Sequence, residues 1–166
     1  MATNTLISVR EYLTTSYEPD CDYVDGAIVE RNVGERDHSY LQMKIAAYLY
    51  IRRKELGIYV FPEQRVQVKP TRFRIPDVCV VLGEWPKEKV FTTPPFICIE
   101  ILSEEDRWAR VQERIDDFLA FGVPYVWILD PHSQKAYACT STGTHEVQEL
   151  KTENPQIVVP LEAIFE

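Results

Sequence analysis

The sequence predicts a single α/β domain over residues 1–166, with a mixed central sheet flanked by helices. Three observations predict it. Near-continuous apolar segments at 75–82, 96–102 and 123–129 read as strands covered on both faces. Two longer segments, from Asp37 or Ser39 to Leu56 and from Glu104 to Phe121, repeat apolar residues at helical spacing and run into Gly57 and Gly122, natural helix stops. The chain of 166 residues has no internal repeat, low-complexity tract or linker-like stretch, so it forms one domain of ordinary size.

In chain order, Ser8 with Glu11 has capping-box form and opens a short helix to about Thr15, packed by Val9, Tyr12 and Leu13. Residues 23–30 read as a hairpin, because Asp25-Gly26 supplies the positive φ angles of a tight two-residue turn. In the first long helix Leu41, Ile45, Tyr48, Leu49 and Leu56 follow helical spacing. A short apolar strand at 58–61 and an alternating strand at 65–69 follow. The second long helix carries an apolar stripe of Trp108, Val111, Ile115, Phe118 and Leu119, with Glu104-Glu105-Asp106 as an acidic first turn suited to the helix dipole. Polar-alternating strands at about 135–140 and 145–150, joined near Gly143, precede a last extended piece and a helical turn at 157–165.

With 45% apolar and 27% charged residues the composition is globular, which argues against intrinsic disorder. No apolar run approaches the roughly 18 residues of a membrane span, and Met1-Ala2-Thr3-Asn4-Thr5 lacks the pattern of a secretory leader. The four cysteines, at 21, 79, 98 and 139, have no C-x-x-C spacing and make no zinc pattern with His38, His132 and His145. They read as reduced, buried thiols of a cytoplasmic protein. Twenty-six acids against 18 bases give −8, which argues against a general polyanion binder. The same balance is compatible with carboxylates clustered for a divalent metal.

The informative feature is acid placed where apolar residues belong. Asp77 follows Pro76 at the mouth of one buried strand, and Glu100 interrupts another, Ile97-Cys98-Ile99-Glu100-Ile101-Leu102. A buried carboxylate is costly unless it is paired, protonated or bound to metal. On neighbouring strands these two share a site of hard oxygen ligands for Mg²⁺ or Mn²⁺, with the Ile101 backbone carbonyl as a further donor. Such an ion orients a phosphate, polarises it and lowers the pKa of an attacking water. The competing reading is a pair of acids neutralised by Arg74 or Arg114. Arg65, Lys69, Arg72 and Arg74 form an acid-free basic strip running into Pro76-Asp77, a candidate contact for a nucleic-acid backbone, extended by Arg52, Arg53 and Lys54. Its competing reading is a solvated hairpin.

Pro76-Asp77 followed by Glu100-Ile101-Leu102 resembles the PD-(D/E)XK nuclease pattern. The wider chain resembles the Uma-two family of restriction endonucleases within that superfamily. The matching segments are Tyr23-Val24-Asp25-Gly26 with Glu30, His38, Ile75-Pro76-Asp77-Val78, Glu100-Ile101-Leu102-Ser103, and Phe118-Leu119-Ala120-Phe121-Gly122-Val123 leading to Trp127-Ile128-Leu129-Asp130-Pro131. The resemblance implies a restriction-endonuclease-like fold, a divalent-metal site and nuclease activity. It implies Glu30 as a third acid at the hairpin's end, a metal or water ligand, against the plainer reading of an edge-strand acid facing solvent. His38 is a candidate contact to phosphate or water, and the plainer reading is a half-buried polar residue at a helix start.

The chain departs from the superfamily pattern at Leu102, where a Lys is expected two residues after the acid. In this branch the cation moves to the following helix, at a position occupied here by Arg114. Arginine holds a phosphate or a water but is a poor proton acceptor. Arg107, two turns earlier on that helix, is a second candidate, and a surface ion pair is the plain alternative for Arg114.

The leading expectation is therefore a Mg²⁺- or Mn²⁺-dependent endonuclease acting on DNA, with Asp77, Glu100, Arg114 and Glu30 in the chemistry. The alternative is a catalytically weakened module that binds nucleic acid or a protein partner without turnover. A homodimer through the strands at 135–150 is a further expectation, since two sites suit two strands.

Overall fold

The structure, a computed structural model, describes residues 5–165; Met1 to Asn4, read above for a leader, and Glu166 lie outside it. A six-stranded mixed sheet is the body of the fold. In spatial order it runs β10 (Gly143–Val147), β9 (Lys135–Thr140), β8 (Tyr125–Asp130), β7 (Ile97–Ile101), β6 (Val78–Leu82) and β3 (Ile58–Pro62). Only β7 and β8 pair in parallel. A parallel pair needs a long crossover, and helix α4 (Trp108–Phe121) supplies it. A smaller sheet is ordered β2 (Ala27–Val29), β1 (Asp22–Val24), β5 (Arg72–Arg74), β4 (Val66–Lys69). A final hairpin pairs β11 (Glu149–Thr152) with β12 (Ile157–Pro160).

Helices cover both faces of the large sheet. Helix α2 (Arg36–Ile51) lays Leu41, Ile45 and Leu49 against Val78, Val80, Ile97, Ile99, Ile101, Trp127 and Leu129. Helix α4 lays Val111, Ile115 and Phe118 against Cys79, Cys98, Val126 and Ile128 on the other face. Each such fully buried aliphatic side chain contributes roughly 1.5–3 kcal/mol over an exposed one. In the small sheet, Tyr23 and Phe73 pack with Tyr12 of helix α1 (Val9–Leu13), and the Ser8 hydroxyl accepts from the Glu11 N–H at 3.1 Å as the capping box requires. The β1–β2 turn has Asp25 at φ 49° and Gly26 at φ 99°, and a side chain at Gly26 would press on Leu6.

Several boundaries differ from the sequence-based expectation. Segment 75–82 is not one strand: β5 ends at Arg74 in the small sheet and β6 begins at Val78 in the large one. Pro76 lacks an N–H and restricts Ile75, so the chain turns between sheets there. The first long helix breaks at Arg52 before a turn of helix α3 (Arg53–Leu56), and Gly57 stops it in the left-handed conformation. Helix α4 starts at Trp108, because the Asp106 carboxylate accepts from the Ser103 N–H at 2.8 Å and closes a turn over 103–106 instead of a helical one. Trp108, expected in the buried stripe, is 53% exposed on that first turn. All four cysteines are free and buried. No helix among the described residues is long and apolar enough to cross a membrane. The β10 edge, the expected dimer contact, presents mostly exposed residues, among them Gly143, His145 and Glu146, and nothing in its chemistry marks it as an interface.

Candidate active site

The site forms where the two sheets meet. Val78 pairs with Ile99 and Cys79 with Cys98, so the same register carries Asp77 opposite Glu100. Glu100 alternates with Cys98 and so faces α4, whereas Asp77, one residue before β6, reaches His38 at the start of α2. Each acid is 3% exposed. The two carboxylates thus converge at the end of the large sheet.

Asp77 is firmly held. Its Oδ2 accepts from the Ile101 N–H at 2.7 Å and lies 3.4 Å from Nε2 of His38, at the start of α2. Its Oδ1 accepts from Nη2 of Arg31 at 3.1 Å, and the Gln42 amide donates to its backbone carbonyl at 2.9 Å. Burial alone would raise its pKa. The His38 contact and the charges of His38 and Arg31 outweigh that and hold it below the ordinary carboxylate value. Burial works against a charged His38, but the bond to Asp77 prevails and its pKa is raised.

Glu100 is in the opposite condition. Burial pushes its carboxyl up to about 8, and the charges of Asp77 and Asp22 add to that, against Arg114. Arg114 of α4 places Nη2 3.6 Å from Oε2, an ion-pair contact longer than a hydrogen bond. Glu100 Oε1 is buried with no hydrogen-bond partner, as are Arg114 Nε, Ser103 Oγ and His38 Nδ1. Unsatisfied buried polar atoms are rare, and Glu100 Oε1 and Arg114 Nε, side by side, leave room for a further polar partner. Leu102, at the superfamily's lysine position, packs into the α4-side core while its N–H donates to Leu129.

Asp22 is a third buried acid, which sequence reasoning missed. It lies on β1, accepts from the Ile75 N–H at 3.0 Å and from Arg74 at 3.2 Å, and interacts electrostatically with Arg114 and Arg31. Burial raises its pKa despite Arg74. Glu30, the expected third acid, is exposed beyond β2. The two part at the hairpin's end: Asp22 is paired within the ladder, opposite Val29, whereas Glu30 follows the last residue of β2. The legible signal was an acid in the first strand of a hairpin otherwise built from Tyr23, Val24 and Ile28.

The basic strip is used internally. Arg65 grips the Asp20 carboxylate through two bonds of 2.7 Å and stacks on the Tyr12 ring. Arg74 is buried, bonded to Asp117 of α4 at 2.7 Å and to Asp22. Arg72 bonds Asp117 at 3.0 Å and Asp25 at 2.6 Å. Lys69 is half exposed, 3.8 Å from Asp117. Adjacent acids in space, absent from the local sequence, thus claim the arginines expected to meet phosphate.

Hard oxygens from Asp77 and Glu100 fit a small divalent cation, and the unpartnered Glu100 Oε1 is the specific observation in favour. No group of three acidic, histidine or cysteine side chains among the described residues makes a metal site by itself.

A mixed sheet with a helix on each face and two opposed acids at its end defines a restriction-endonuclease-like domain. The chain belongs to the Uma2 family, whose model, described as "Putative restriction endonuclease", matches residues 9–166. Among solved structures it is similar to a putative nuclease belonging to DUF820 from Anabaena variabilis ATCC 29413, with a TM-score of 0.79 and 21% identity over 96% of this chain and 97% of that one. It is also similar to a chain of a DrdV–DNA complex, at a TM-score of 0.44 and 18% identity, over 78% of this chain and 11% of that one. No curated protein matches.

Proposed function

We propose that this protein is a divalent-metal-dependent endonuclease that hydrolyses phosphodiester bonds in DNA. The observation that carries the reading is the convergence of Asp77 and Glu100 at one end of the large sheet, with Glu100 Oε1 buried and unpartnered. The family description supports the nuclease class.

Asp77, Glu100 and the Ile101 carbonyl would hold Mg²⁺ or Mn²⁺. When bound, the ion supplies charge for the phosphate and lowers the pKa of an attacking water. The chain's own residues do the rest. The Ile101 N–H and His38 fix the Asp77 carboxylate in place. Glu100 would have to release its proton to serve as a ligand. Arg114, charged throughout, stabilises the developing negative charge of the phosphate and takes no part as a base. Plasmid DNA incubated with Mn²⁺ tests the reading: the wild type cuts, and Asp77→Asn and Glu100→Gln do not. A wild type inert with both Mg²⁺ and Mn²⁺ would sink it.

One contact favours a second reading. Arg31 already neutralises Asp77 from within the chain, and Leu102 leaves the lysine position apolar. A module that binds nucleic acid or a protein partner without turnover fits both facts. It would shift DNA at low salt and leave it intact.

A further inference from the structure

With Arg65, Arg72 and Arg74 tied to acids of the fold, the strip leaves only Lys69 half exposed, and α4 offers further cations for a backbone. Arg110, Arg114 and Asp117 follow one another at steps of four and three residues, so they share one flank of this helix. Asp117 faces the small sheet, and Arg114 reaches Glu100. Arg110 lies one turn nearer the helix start, about 6 Å along the axis from Arg114. Arg107, at the N-cap, is one turn beyond Arg110. The row thus runs from Arg114, half-buried at the site, to two arginines in solvent.

Arg107 and Arg110 are exposed, and neither side chain has an ion-pair or hydrogen-bond partner among the described residues. The acids around them are mostly engaged. Glu104 contacts His132, Asp106 bonds the Ser103 N–H and Asn32, and Glu113 contacts Arg72 and Arg74. Glu105 is exposed beside Asp106. Independently, Glu100 Oε1 and Arg114 Nε are buried and unpartnered at the inner end of the same row.

We infer that this flank of α4 is the nucleic-acid backbone track, with Arg107 and Arg110 binding the phosphates beside the one held at Arg114. The inference rests on the nuclease reading and adds to it the surface along which the strand lies. Contacts of this kind give affinity and register without sequence preference. They also reconcile a chain of net charge −8 with a polyanionic substrate, since the cations needed are local.

Binding of a fluorescent DNA duplex, measured by anisotropy between 50 and 200 mM salt with Ca²⁺ in place of Mn²⁺, tests the inference. Each phosphate contact contributes about 0.9 to the slope of log K against log salt. Arg107→Gln with Arg110→Gln should reduce that slope by about two, so that affinity falls roughly tenfold less over this range than in the wild type. Arg107→Lys with Arg110→Lys should restore it, which excludes a folding defect. A wild type that binds and cuts DNA, with the glutamine pair leaving the slope unchanged, overturns the track and leaves the nuclease reading standing. A wild type that neither binds nor cuts DNA overturns both.

Discussion

Asp77 and Glu100 face each other across β6 and β7 with opposite proton affinities. Arg31, His38 and a backbone N–H hold the first carboxyl below its ordinary pKa, while burial lifts the second to about 8. Carboxylates sharing a site divide their roles in this way when only one has strong partners. An ion that takes both as ligands must displace the Glu100 proton. Titration of Mn²⁺ at pH 7 by calorimetry, in buffers of different ionisation enthalpy, should show uptake of a proton by buffer. Asp77→Asn and Glu100→Gln should each weaken binding at least about a hundredfold.

The same proton makes metal-free stability depend on pH. Between about pH 5 and 8 the folded state keeps a Glu100 proton that the unfolded chain has released. Stability therefore falls as pH rises through this window. Urea midpoints should decline from pH 5 to 8 in the wild type, and the decline should flatten in Glu100→Gln.

Arg31 places its guanidinium 3.1 Å from Asp77, where it balances a charge that a cation would also balance. Removing it in Arg31→Met leaves a buried carboxylate less compensated, so the metal-free variant should lose about 3 kcal/mol or more. Added Mn²⁺ should raise the melting temperature more in the variant than in the wild type, because binding then restores the missing charge.

Asp117 holds the small sheet to α4 through Arg74 and Arg72. Asp117→Ala should destabilise the fold by about 3 kcal/mol in urea unfolding, since it takes a buried carboxylate from Arg74 and leaves that guanidinium only Asp22 and Glu113. The exposed Lys69 contact to the same carboxylate should contribute little, and Lys69→Ala should shift stability by less than about 1 kcal/mol.

Arg114→Ala should lower kcat by about a hundredfold or more, the usual loss when one donor to a developing negative charge is removed. Arg114→Lys should keep most of the rate, because charge and reach are retained. Single-turnover cleavage with Mn²⁺ measures both.

The acid pair was legible because a carboxylate in an apolar strand violates the local pattern, and because two strands of one sheet bring such violations together by register. The hairpin turn, the capping box and the strands 97–101 and 135–140 were legible for similar local reasons. What escaped depends on pairing between distant segments. Asp22 and Glu30 differ in sequence only by position in a hairpin, yet Asp22 is buried within β1 and Glu30 is exposed past the end of β2. The internal pairing of the basic strip escaped for the same reason: Asp20, Asp22 and Asp117 are remote in sequence and adjacent in space. Trp108 fits the helical stripe by number, but the turn at 103–106 takes the place of the helix's first turn and leaves it on the rim.

Helix α4 carries Arg114 toward Glu100 and, three residues on, Asp117 toward the arginines of β5. One rigid rod thus serves as both strut and tool holder. Substitutions in β5 that loosen the strut will alter the tool's aim, so their effects on turnover will not sum with those at Arg114. Genetic drift in the small sheet is therefore tied to the reaction centre, although none of its arginines need touch the substrate.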